Sequence, residues 1–93
     1  MIQNFGDKET ESLFNRERVK KYPPELEQRF RNKLLIIHAA TSEEDLRIPP
    51  GNHFEKLKGN KKGLCSIRIN DQWRITFKWM NGNAGNVIIT DYL

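Results

Sequence analysis

The chain has 93 residues, sixteen basic and twelve acidic side chains, a formal net charge of +4 and an apolar content of 37%. That length suits one domain, 1–93, with a modest core, and the single cysteine, Cys65, excludes an internal disulfide framework. No apolar run approaches the roughly 18 residues of a membrane span. The N-terminus shows no secretory hydrophobic region, so a cytoplasmic protein with no membrane partner is expected.

Ile2 and Phe5 suggest a short strand over residues 1–5. Asp7 is a fair helix cap, Glu9 and Glu11 suit a first turn, and Thr10, Leu13 and Phe14 share a face. A helix from about Lys8 to about Lys20 follows. Pro23 and Pro24 interrupt it and suit the start of the next. Leu26, Phe30, Leu34 and Ile37 then recur at helical spacing, with Leu35 and Ile36 widening the stripe, to about Ala40. His38, at the stripe's edge with no second ligand one turn away, reads as a structural histidine.

Thr41 to Asn52 is a connection, with Ser42 and Asp45 resembling a capped turn. Pro49, Pro50 and Gly51 make a bend with Gly51 at positive φ. From Leu64 the apolar period becomes two. Cys65, Ile67 and Ile69 form one strand, and Trp73, Ile75, Phe77 and Trp79 the next. Residues 81–85 form a turn cluster. Residues 86–92 make a last strand, whose more continuous apolar run suits a central position.

Register follows the hydrophobic pattern. A two-residue turn at Asp71-Gln72 sets Ile69 against Arg74 on one face. A three-residue loop, Asn70-Asp71-Gln72, instead opposes Ile69 to Trp73, Ile67 to Ile75 and Arg68 to Arg74, and is expected with Asn or Asp at positive φ. Two facing arginines repel, and an anion between them relieves the cost. The expected fold is therefore α+β: two N-terminal helices packed on a small twisted antiparallel sheet.

Charge points to the partner class. Residues 53–78 hold seven basic side chains against two acidic ones, whereas residues 1–52 hold nine of each. Such clustering is the footprint of a polyanion site. Lys58, Lys61 and Lys62 surround Gly59 and Gly63 in a loop able to approach a phosphate. No Walker loop, His-Glu-x-x-His or metal-spaced Cys/His cluster is present, so neither metal nor cofactor is expected. Cys65 faces the predicted core as an inert thiol. RNA carries its own nucleophile, and its cleavage needs a proton acceptor, a proton donor and positive charge on the pentavalent phosphate. Lys, Arg, Asp and Tyr suffice for those jobs; so, on composition, does phosphate binding without catalysis.

Pro-Pro-Gly-Asn-His-Phe-Glu-Lys-Leu-Lys-Gly-Asn, Ser-Ile-Arg-Ile-Asn-Asp-Gln-Trp-Arg-Ile and the terminal Asp-Tyr resemble the HigB family of plasmid-maintenance killer proteins, in the RelE superfamily of bacterial toxins. The resemblance covers the whole chain. It implies a toxin of a type II toxin-antitoxin system: a ribosome-dependent mRNA endonuclease that inhibits translation. It also implies a HigA-like helix-turn-helix antitoxin and, through it, operator DNA. Carried over, the catalytic residues are Arg74 on the scissile phosphate, Lys58, Asp91 and Tyr92. The expected RNA contacts are Lys56, Lys61, Lys62, Arg68, Gln72 and His53. The family pattern closes Asp-Tyr-His, and here the last position is Leu93. His53 is the nearest imidazole able to compensate. The alternative reading is a catalytically silent ribosome- or antitoxin-binding module that serves operon regulation.

Overall fold

The computed structural model describes residues 1–57 and 63–92. Helix α1 spans Lys8–Phe14, capped by Asp7, whose carboxylate accepts the Thr10 N–H at 2.9 Å. It stops well short of Lys20, and Arg16 adopts a left-handed φ of 67°. On a continued helix Tyr22 would lie about 180° round from Leu13, at roughly 100° per residue. Breaking the helix lets Val19 and Tyr22 both join Leu13 in the core.

One 3-10 turn, Pro24–Leu26, leads into α2, Glu27–Ala39. Phe30, Leu34 and Ile37 are fully buried, and Leu26 packs against them in part. Leu35 does not widen the stripe; it is exposed. His38 is structural as expected: its Nδ1 accepts the Ile2 N–H at 3.2 Å, and its ring lies 5.5 Å from Phe14. A short α3, Glu43–Leu46, follows. Its cap differs from the expectation. Ser42 makes no side-chain cap bond, and the Asp45 carboxylate instead accepts the Thr41 N–H and hydroxyl, which holds its pKa below the usual carboxylate range. The positive φ expected at Gly51 falls two residues on, at His53, with φ 45°.

Strands β1 (Glu55–Lys56), β2 (Leu64–Arg68), β3 (Trp73–Met80) and β4 (Asn83–Asp91) form an antiparallel sheet in that order. The β2–β3 register is the expected one, with Ile67 opposite Ile75 and Arg68 opposite Arg74. Its loop needs no positive φ, because the Asn70 side chain accepts the N–H groups of Gln72 and Trp73, each at 2.8 Å. The β3–β4 turn is tighter than the expected 81–85 cluster. Asn81 (φ 53°) and Gly82 (φ 78°) make a two-residue turn, so β4 begins at Asn83.

β4 is the last strand of this sheet, not a central one. Its outer edge is nevertheless covered. Ile2 and Phe5 bridge to Ala84 and Val87 in parallel, and the Gln3 and Gly6 N–H groups donate to Ala84 and Val87 carbonyls at 2.8 and 2.9 Å. A Cβ on Gly6 would meet the Ile88 side chain at 2.3 Å, so any larger residue here must displace that side chain. The continuous apolar run of β4 reflects that cover.

The helices lie on one sheet face, over Cys65, Ile67, Trp73, Ile75, Phe77 and Ile89. Phe30, Tyr22 and Trp73 interlock there with ring centroids 5.2–5.7 Å apart. Burial pushes the Tyr22 hydroxyl up to about 12 and raises the Cys65 thiol. No helix among the described residues is long and apolar enough to cross a membrane.

Candidate active site

Strand alternation gives the opposite sheet face to Glu55, Ser66, Arg68, Arg74, Thr76 and Thr90. Arg68 and Arg74 are direct cross-strand partners, and each carries a carboxylate that relieves their repulsion. Their environments differ. The Arg74 side chain is 14% exposed; its Nε donates to the buried Ser66 hydroxyl at 3.0 Å and its Nη2 to the His53 carbonyl at 2.8 Å. Glu55 lies 3.7 Å from the same nitrogen. Arg68 pairs with Asp71 in the adjoining loop, whose carboxylate is 94% exposed.

The loop that brings the His53 carbonyl to Arg74 is anchored by Asn52, which is fully buried. The Asn52 amide donates to the carbonyls of Leu46 and Ile48 at 3.1 and 3.2 Å, and its oxygen accepts from Lys33. Burial, with Arg29 nearby, lowers the Lys33 pKa. At the far side, the Tyr92 N–H donates to the Gln72 carbonyl at 2.7 Å, tying the end of β4 to the β2–β3 loop. His53, Glu55, Arg68, Asn70, Asp71, Arg74 and Tyr92 together line an open pocket of about 350 Å³. Two arginines, two acidic residues, His53 and Tyr92 thus share one open space.

A model of the family described as "RelE-like toxin of type II toxin-antitoxin system HigB" matches residues 3–93. The chain belongs to this family of HigB-like toxins. It is 46% identical to Toxin HigB-1 of Vibrio cholerae serotype O1, over 96% of this chain and 95% of that one. It is 32% identical to the Endoribonuclease HigB of Proteus vulgaris, over 99% of both. The fold is also that of a crystal structure of a YafQ variant from E. coli, with a TM-score of 0.67, 12% identity, and coverage of 99% of this chain and 92% of that one.

In this HigB-like toxin the residues expected at the site separate into three groups. Arg74, Arg68, His53 and Tyr92 meet in the pocket. Asp91, Gln72 and Lys56 are placed elsewhere. Asp91 pairs with Trp73 in register and so follows the opposite alternation to Tyr92; its carboxylate accepts from the Gln72 amide at 3.2 Å. Lys56 alternates with Glu55, reaches Glu43 at 2.9 Å, and lines a separate cleft beside Leu57 and Trp79. Lys58, Lys61, Lys62 and Leu93 lie outside the described residues. Sequence reasoning missed Glu55, Asn70 and Asp71 in the pocket, and Ser66 and Asn52 behind it. Asp71 was within reach, three residues from Arg68 across a loop. Glu55 was not, because a two-residue strand carries no periodicity.

Proposed function

We propose that this toxin is an endoribonuclease that cuts messenger RNA held on the ribosome and so stops translation. Arg74 is the observation that carries the reading: a largely buried arginine, held in place by Ser66 and the His53 carbonyl, lines an open pocket together with Tyr92 and His53. The RNA 2′-oxygen attacks the adjacent phosphorus while the bond from phosphorus to the 5′-oxygen breaks. Arg74 stabilises the charge that gathers on the phosphate, with Arg68 on the neighbouring strand. His53 and Tyr92 are the pocket groups able to exchange protons with the attacking and leaving oxygens. The family resemblance adds Lys58 and Asp91 to the groups that serve proton transfer. Lys61 and Lys62 contact flanking phosphates. The partner that restrains the toxin is a HigA-like helix-turn-helix antitoxin, through which the pair reaches operator DNA.

Cleavage of translated message on programmed ribosomes, set against naked RNA, tests this reading. The native chain is expected to cut translated message and to leave free RNA largely intact. Arg74→Ala is expected to slow cleavage by on the order of 10²-fold, as for other transition-state charge stabilisers. A fully active Arg74→Ala protein overturns the assignment. Leu93 favours a second reading, a silent module that binds ribosome or antitoxin, because leucine transfers no proton. Leu93→His separates the two: a rise in cleavage of at least about tenfold marks a slowed enzyme, since a proton-transfer group typically contributes about 10²–10⁴-fold. No cleavage by either form marks the silent module.

A further inference from the structure

We infer that Glu55 and Asp71 are specificity-determining residues, whose carboxylates occupy the guanidiniums that a substrate phosphate must take. The inference rests on the endoribonuclease reading and adds a selection step to it. Glu55 reaches Arg74 at 3.7 Å, and Asp71 pairs with Arg68, so each pocket arginine already holds an anion of this chain's own. Among the described residues that line the pocket, two arginines stand against two carboxylates.

Both carboxylates are poorly buried, 59% exposed for Glu55 and 94% for Asp71. Exposed ion pairs are weak, so each is displaceable. A phosphodiester entering the pocket must push both aside, or bind close to them and be repelled. A free strand meets that penalty with its own few contacts. A strand presented by a larger body arrives at high effective concentration, which offsets it. The carboxylates thus discriminate against unanchored RNA, while Ser66 and the His53 carbonyl keep Arg74 aimed for the anchored substrate.

The test is Glu55→Gln with Asp71→Asn in the full chain, read by fluorescence anisotropy. The probe is a short fluorescein-labelled oligodeoxyribonucleotide, which keeps the phosphates and lacks the 2′-hydroxyl needed for cleavage. At low salt the double variant is expected to bind about tenfold tighter, each single variant about threefold, and the gain is expected to vanish near 1 M salt, where screening acts within about 3 Å. Glu11→Gln with Glu17→Gln is the control: it makes the same charge change at exposed positions outside the pocket. Its gain is expected to stay under about twofold. Unchanged or weaker binding by the pocket variant, or an equal gain in the control, overturns the inference. The pocket variant is also expected to cut naked RNA faster than the native chain, and no faster cutting in a ribosome-active protein counts equally against it. If the native chain cuts no message on ribosomes, the endoribonuclease reading fails, while the anisotropy comparison still decides what the carboxylates do.

Discussion

The two faces of the sheet are held by different forces, although they alternate along the same strands. The covered face is closed by apolar side chains: Ile67, Ile75 and Phe77 are fully buried, and Trp73 nearly so, under α2 and Tyr22. The pocket face is polar, and its order comes from directed bonds: Ser66 on Arg74, Asn52 behind His53, and Asn70 inside the β2–β3 loop. Burial is non-directional and scales with area. It makes the fold stable but aims nothing. The hydrogen bonds add little net stability each, yet they decide where a guanidinium points. Stability and chemistry are therefore expected to separate by face.

The largest effect is expected from the covered face. Phe30→Ala removes the ring wedged between Tyr22 and Trp73 and should cost about 3–5 kcal/mol, measured by urea unfolding. Against a typical total of about 5–15 kcal/mol that is a large share, and cleavage should fall only as far as the folded fraction does. A native-like unfolding midpoint would break the comparison at its stable end.

Asn52→Ala sharpens it from the other side. The change leaves the Leu46 and Ile48 carbonyls and the Lys33 ammonium without this partner, at a cost of about 1–3 kcal/mol. In conditions where the protein is fully folded, cleavage should still fall about tenfold, because the His53 carbonyl no longer fixes Arg74. Loss of stability with undiminished cleavage would show that the anchor serves the loop alone.

The smallest effect lies in the alkaline limb of stability. The folded chain holds the Tyr22 proton to about 12, while an unfolded tyrosine releases it near 10. The folded state then binds more protons than the unfolded state between those values. The contribution is present in full below pH 10 and is lost as pH rises toward 12, by on the order of 1–2 kcal/mol. Tyr22→Phe should flatten this limb in unfolding midpoints taken across that range. An equally steep fall in the Phe variant would place the alkaline sensitivity elsewhere.

Much of this molecule follows from the order of its residues alone. The Asp7 cap of α1, the apolar stripe of Phe30, Leu34 and Ile37 on α2, the period-two strands and the Arg68–Arg74 register were all legible, because helical and strand periodicities are local and one buried face admits one register. The family signature was legible too, since it is a string of residue types. Tertiary structure decided the rest. It ended α1 early so that Tyr22 could turn inward, and it covered the outer edge of β4 with residues 2–6, which lie far away in sequence. It gave Tyr92 to the pocket and turned Asp91 away, because adjacent residues of a strand face opposite sides. It set Glu55 and Asp71 on the two arginines, so that each guanidinium of the described pocket has a carboxylate beside it. Net charge adds up along a chain, but the field at a site depends on which side chains the fold brings within a few ångströms of it.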